Sequence, residues 1–316
     1  MKYGNWLQLW LDNYVKPAVK QRTYERYGAI VDQHVSGVLG GFELDELLPS
    51  RLQIYTVGML KSGKVKGEGG LRPNTVNSII TVIQHSLKAA YAAGETESYI
   101  GDRIQRPAVR KKEICCFTHE EQRRIEDEIV GKRKIKMYGV ILCMYTGLRL
   151  GELLALEKGD TDGFKLRVTK SCYDGKDENG RFTRCTDTPK TPSSVRVIPV
   201  PRQLRPLIET LKADGESRYL INSKDGKVIA VRSYQRSFEL LLKRLDIPHR
   251  GFHALRHTFA TRALECGMDV KTLSEILGHK NPSTTLMHYA HSLDEHKNAM
   301  MNKVGELLDS QPDNPQ

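Results

Sequence analysis

The 316-residue sequence predicts a mainly α-helical fold with a small antiparallel β-sheet, arranged as an N-terminal helical bundle followed by an α+β domain. Three observations predict it. Apolar residues recur at helical spacing through the first hundred residues, in stretches separated by glycine- or proline-bearing connections. Between 164 and 200 that period gives way to alternation and turn residues, closing on the β-branched run VRVIPV. Beyond 200 the helical spacing returns, with start and stop signals at its ends.

In the bundle, Tyr3, Trp6, Leu7, Trp10, Leu11 and Tyr14 line one face of a first helix, which Pro17 stops. A second helix is predicted over 23–35, with Gly37, Gly40 and Gly41 after it, and a third over 45–60. After the Gly/Lys-rich KSGKVKGEGG, a fourth begins at Pro73, which suits a first helical turn, and stops at Gly94. Its stripe is Val76, Ile79, Ile80, Ile83, Leu87, Ala90 and Tyr91. Four helices with short connections cover one another's stripes as a small bundle. The following RIQRPAVRKK holds five basic residues around one proline and no acid, which marks a linker.

In the second part, Thr118 and Glu121 have the spacing of a capping box at the head of a helix running to 129. The next helix, over 135–146, stops at Gly147, and the turn TGLR places Arg149 three residues before Glu152. The apolar runs on either side, ILCMY and LLAL, predict a buried, aimed Arg149 held by Glu152 and needing an anion. Alternation over 165–169, turn residues over 174–180 and the run at 195–200 predict a three-stranded antiparallel sheet. Helices follow over 204–212 and 233–245, with a short strand at 218–221 between them. Another spans 253–266, stopped by Gly267, and a short one ends at Leu277. Leu293, Met300, Val304, Leu307 and Leu308 give a terminal amphipathic helix, and SQPDNPQ has the composition of a disordered tail.

Lys and Arg number 49 against 38 Asp and Glu, a net of +11, which suits a polyanionic partner and is silent about fold. Through Lys112 the count is 16 basic and 10 acidic residues, a net of +6. The six cysteines, Cys115, Cys116, Cys143, Cys172, Cys185 and Cys266, show no repeated spacing and read as free thiols. No leader-like segment stands at the N-terminus and no stretch approaches the ~20 apolar residues of a membrane span. A cytoplasmic protein with no membrane partner is expected.

The chemistry-bearing residues concentrate in 251–289. His253 and Arg256, three apart, share a helix face; His279 follows Gly278 at a helix end; Tyr289 lies ten residues further on. Arginine grips phosphate with a planar fork, histidine holds or moves a proton, and tyrosine attacks as a nucleophile, so the set suits a phosphodiester. His253 and His257 have the spacing of a zinc helix, but Ala254 stands where such a helix needs its glutamate, and no metal is predicted.

HALRH, LGH and a tyrosine followed by Ala-His resemble the C-terminal half of the active site of the tyrosine recombinase (phage integrase) family, and TGLR-x-x-E resembles its first arginine motif. TPKTPSSVRVIPV resembles the family hairpin that carries a catalytic lysine, which falls here on Lys190; Lys170 is a rival without that context. The resemblance covers nearly the whole chain, closely in the second half and loosely in the first. It implies a helical core-binding (DNA-binding) domain over 1–102, a basic interdomain linker over 103–116, and a catalytic domain with C-terminal helix and tail over 117–316. It also implies catalytic roles for Arg149, Lys190, His253, Arg256, His279 and Tyr289, with Glu152 and His257 in support.

The implied reaction is a transesterification without metal or cofactor, through a 3′-phosphotyrosyl intermediate and a Holliday junction, in an integrase that serves a phage, a conjugative transposon or other mobile element, or a resident chromosome system. Its implied partner is double-stranded DNA, on which the chain assembles as dimers to tetramers, in a bacterial cytoplasm at the nucleoid; the terminal amphipathic helix docks on a neighbouring subunit or on its own domain. Candidate DNA contacts are Arg22, Arg26, Arg72, Asn74, Thr75, Asn77 and Lys88 on the second and fourth helices, and Arg106, Arg110, Lys111 and Lys112 in the linker. The alternatives are a type IB topoisomerase-like enzyme, which reseals its own nick, and a catalytically silent DNA-binding protein.

Overall fold

A computed structural model describes residues 1–109, 115–176, 182–187, 195–222, 229–279, 281, 283, 301–302, 304–306 and 308–309. The chain divides into two units, Met1–Lys112 and Glu113–Gln316, each with its own apolar core.

In the first unit α1 (Tyr3–Trp10) runs into a π-helical turn, Leu11–Val15, and α2 (Gln21–Ile30) into another, Val31–Val35, continued by α3 (Ser36–Leu39). α4 (Pro49–Ser62) and α5 (Pro73–Ala92) both carry proline in their first turn, where its missing N–H costs nothing. The stripe of α1 packs on that of α5, and the polar atoms it buries are satisfied there. The Tyr3 and Ser86 hydroxyls lie 2.6 Å apart, and Trp6 Nε1 donates to the Ser86 carbonyl at 3.0 Å. Tyr14 and Tyr91, placed on the stripes by spacing, are instead exposed. The π-helical turn shifts the helical phase after Leu11, so Val15 faces the core and Tyr14 does not.

The start of the basic run lies along α5. Arg106 donates from Nη1 to the Asn77 carbonyl at 3.2 Å and from Nη2 to Thr81 Oγ1 at 3.2 Å, and Asn77 Nδ2 donates to the Pro107 carbonyl at 3.1 Å. Arg110, Lys111 and Lys112 lie outside the described residues.

In the second unit the capping box forms as expected. Thr118 Oγ1 accepts from Glu121 N at 3.1 Å and Glu121 Oε2 accepts from Thr118 N at 2.8 Å, opening α6 (His119–Gly131). α7 (Tyr138–Thr146) has almost no polar face and is buried along its length, packed against α6, α8 (Leu150–Ala155) and α11 (His253–Glu265).

The expected three-stranded sheet is two separate two-stranded antiparallel sheets among the described residues. β1 (Lys165–Val168) pairs with β4 (Arg196–Pro199), and β2 (Ser171–Lys176) with β3 (Phe182–Asp187), so one pair is inserted between the strands of the other. The 174–176 stretch, read as turn, is strand. Asp174 accepts from the N–H groups of Val231 and Arg232 at 2.8 and 2.9 Å and so caps α10 (Val231–Arg244) from a distance. The short strand expected at 218–221 is a single bridge, Glu157 to Tyr219. α9 (Arg205–Ala213) lies between β4 and that bridge, and α12 (Val270–Leu277) follows α11, its first turn capped by Asp269. Of the terminal helix, residues 301–302, 304–306 and 308–309 are described, helical and exposed; the rest, and the SQPDNPQ tail, lie outside the described residues. No disulfide links any of the six cysteines, and no described helix is long and apolar enough to cross a membrane.

Candidate active site

The site is built on the C-terminal end of α12. A helix leaves its last carbonyls without intrahelical donors and carries partial negative charge there, so it attracts cations. Three arginines from three other elements meet that end. The Leu277 carbonyl accepts from Arg256 Nη2 at 2.7 Å and from Arg149 Nη1 at 3.4 Å, and the Ile276 carbonyl accepts from Arg196 Nε at 2.6 Å. The helix stops because Gly278 turns left-handed, at φ 66°, which sends the chain to His279.

Arg149 reaches this point because α7 stops on Gly147, also at φ 66°. A Cβ at 147 would sit 2.6 Å from Phe259 and 2.7 Å from Leu277, so the turn admits glycine and little else. Arg149 then stands at the head of α8, where Glu152 Oε2 accepts from its backbone N at 2.9 Å and Oε1 from its Nη1 at 2.8 Å. Its side chain is 36 % exposed, so the expected buried arginine is instead a half-open fork. The apolar runs around it cover α7 and α8, and the cap geometry swings the side chain outward. The buried fork is Arg256, in the first turns of α11 and 2 % exposed. It donates from Nη1 to the Gly147 carbonyl at 2.8 Å, and its Nη2 lies 2.7 Å from His279 Nε2. Guanidinium only donates, so His279 accepts at Nε2 and keeps its ring proton on Nδ1.

Sequence reasoning missed Arg196. Its two Nη atoms meet the two Glu152 oxygens at 3.0 and 2.9 Å, so Glu152, 5 % exposed, lies between two guanidinium groups. Burial alone would raise the Glu152 carboxyl, but Arg196, and then Arg149, outweigh it and hold the pKa at about 2. Arg149 and Arg196 share the one carboxylate of Glu152, and Arg256 meets the same helix end through the Leu277 carbonyl, a concentration of cations that suits an anion. The signal for Arg196 was strand register: Val195 and Val197 are 53 % and 52 % exposed, and their neighbour Arg196 takes the inward position.

His253 opens α11 at the solvent edge, with its ring 4.7 Å, centroid to centroid, from that of His257 one turn on. Surrounding protein, and then the nearby His257, Arg256 and Arg149, lower its pKa to about 4, so it is neutral at pH 7. Lys190 and Tyr289 lie outside the described residues. The rival Lys170 is paired with Glu157 at 3.0 Å, an ordinary partner that explains it. Among the described residues no three His, Cys, Asp or Glu side chains gather as a metal-holding group.

Of the candidate DNA contacts, Arg22 and Arg26 are exposed on one face of α2, the Arg26 guanidinium 5.5 Å from the Tyr27 ring. Arg72, Asn74 and Thr75 are exposed at the head of α5 and Lys88 further along it. Asn77 is half-buried and holds the linker, and Arg106 lies against α5 as described above.

Two guanidinium forks with imidazoles beside them, in a chain that also carries a helical unit with exposed cations, are the build of an enzyme that handles DNA phosphodiesters. Residues 115–296 match the phage integrase family, and residues 2–59 match the phage integrase N-terminal SAM-like domain. A protein named tyrosine recombinase XerC-like, from Caldanaerobacter subterraneus subsp. tengcongensis, is 28% identical, over 96% of this chain and 83% of its own. The Tn1549 transposon integrase, solved in complex with a circular intermediate DNA, has the same fold at TM-score 0.78 and 23% identity, covering 96% of this chain and 99% of that one. The lambda integrase tetramer bound to a Holliday junction follows at TM-score 0.67 and 17% identity, covering 89% of this chain and 78% of that one. The chain belongs to the phage integrase family, and it is a site-specific tyrosine recombinase.

Proposed function

We propose that the chain cuts and rejoins DNA through Tyr289. The phenolic oxygen attacks the scissile phosphorus, the bond from phosphorus to the 5′-oxygen breaks, and a 3′-phosphotyrosyl ester and a free 5′-hydroxyl result. Arg149 and Arg256 hold the non-bridging oxygens as charge builds in the five-coordinate transition state. His253 takes the phenolic proton and Lys190 supplies one to the leaving oxygen. His253 enters neutral, as an acceptor must, and the arriving phosphate raises its proton affinity by adding negative charge beside it. His279 holds the inner fork. The ester keeps the energy of the phosphodiester, so the 5′-hydroxyl of a partner strand reverses the step without an external energy source or cofactor. Two such rounds, in a tetramer on two duplexes, pass through a Holliday junction. The Holliday-junction tetramer of lambda integrase supports that assembly, and the Tn1549 complex supports a role in mobile-element integration.

The observation that carries the proposal is the single carbonyl of Leu277 receiving both forks, with His279 against the inner one. Because helix heads and exposed cations on α2 and α5 suit phosphates, we assign DNA contact to Arg22, Arg26, Arg72, Asn74, Thr75 and Lys88, in a bacterial cytoplasm where DNA is accessible. The test uses a target duplex selected from a random-sequence pool by binding to the chain. Two differently labelled copies are mixed with protein and exchanged strands are scored. Recombinant strands are expected. Relaxation of supercoiled DNA without exchange would point to a topoisomerase, and binding with no covalent protein–DNA species to a silent regulator.

A further inference from the structure

We propose that Arg196 is a positioning residue for strand transfer, acting on the phosphate-holding forks through Glu152 and the end of α12; this rests on the site assignment above. Arg196 touches both structures that fix the forks. On one side it engages both oxygens of Glu152, the same two oxygens that hold the backbone and Nη1 of Arg149. On the other side its Nε meets the Ile276 carbonyl, next in sequence to the Leu277 carbonyl that receives Arg256 and Arg149. One planar group thus fixes α8 to α12, and with them one fork to the other. With its side chain 5 % exposed, Arg196 does not meet substrate; it acts through the groups it holds.

The surroundings are shaped for this residue. Gly278 approaches so closely that a Cβ there would lie 3.0 Å from Arg196 Cδ and 3.0 Å from its Nη1. Its cross-strand partner is Val168, and the neighbouring inward position is Ile198, so an aliphatic residue would pack in this layer without any ion pair. A buried ion pair stabilises a fold little more than such packing does, so its contribution here is geometric. Lysine, a point charge on a flexible stem, would reach one partner and lose the fork that spans three.

The test compares Arg196→Lys and Arg196→Gln with the unaltered full chain, using the selected duplex nicked near the cut so that the covalent species accumulates. A small displacement of a clamp costs about 100-fold in rate, so single-turnover adduct formation at saturating protein should fall about that much while Kd for the duplex changes less than about threefold. A second duplex carries a methylphosphonate at the scissile position, one charged oxygen replaced by methyl. There the forks have less charge to meet, and the loss should shrink to a few-fold, which general structural damage would not produce. Wild-type rates in both variants, or equal losses on the two duplexes, would overturn the proposal. If the Arg196 variants do not fold, Glu152→Gln loosens the same link from its other end and should show the same split; full activity there overturns it equally. Adduct formation by Tyr289→Phe would instead defeat the underlying site assignment, whatever Arg196 does.

Discussion

Arg149 and Arg256 carry the same charge in different surroundings, and substitutions should separate them. Arg149 is half-open, so Arg149→Lys should leave the melting temperature nearly unchanged. It should nonetheless cut adduct formation by about 100- to 1000-fold, the scale of losing one aimed donor. Arg256 is buried and serves the Gly147 and Leu277 carbonyls. Arg256→Ala removes this donor from the Gly147 carbonyl and leaves the Leu277 carbonyl only the longer Arg149 contact, so it should cost about 1–3 kcal/mol in urea unfolding as well as abolishing cleavage. His253 makes a pH prediction. Its pKa in the fold, about 4, lies below its ordinary 6.5, so the folded state binds fewer protons than the unfolded chain between those values. Stability from this residue therefore rises with pH across that window and is lost as pH falls to 4. In kcat/KM for cleavage, which reports the DNA-free protein, the acid limb that belongs to His253 should likewise lie near pH 4; a limb near 6.5 that vanishes in His253→Gln would contradict a neutral His253 in that range. Arg149, Arg256 and His279 were legible because each sits in a short motif whose turn or helix face is local. Arg196 was not, since its partners lie 44 and 80 residues away in sequence and its strand reads as valines with a charge between them.

At the scale of elements, the site depends on two glycine stops, at 147 and 278, that end α7 and α12 where the forks converge. Gly147→Ala forces a side chain into left-handed backbone and against Phe259 and Leu277. The backbone term alone is about 1–2 kcal/mol, and calorimetry should show a larger loss than that because the added Cβ also crowds Phe259 at 2.6 Å and the buried Leu277 at 2.7 Å. An unchanged melting temperature would mean that the turn does not fix this end of the core. Helices were the legible elements: Pro73, Thr118 with Glu121, Gly147 and Gly267 mark ends through local backbone chemistry. The sheets were not. A strand's partner is chosen by distant packing, and no local feature of 165–200 shows that β1 pairs with β4 across an inserted pair.

For the whole molecule, a net charge of +11 predicts steep salt dependence of DNA binding. With about six phosphates neutralised, affinity should fall roughly a thousandfold between about 50 and 200 mM salt. A flat response in a filter-binding titration would remove phosphate contact as the basis of affinity. The two-part organisation was legible from the change of apolar period and the basic run between the parts. The gathering of Gly147, Glu152, Arg196, Arg256 and Leu277 at one helix end was not, because it is a property of the folded chain alone.

The proposed chemistry requires a tyrosyl ester at Tyr289, and mapping the covalent bond shows whether it forms there. The protein is trapped on the nicked selected duplex, digested, and the DNA-linked peptide identified by mass spectrometry. The linked peptide should contain Tyr289, and Tyr289→Phe should bind the duplex yet yield no adduct. A bond to any other residue, or an undiminished adduct in Tyr289→Phe, would rule out Tyr289 as the nucleophile.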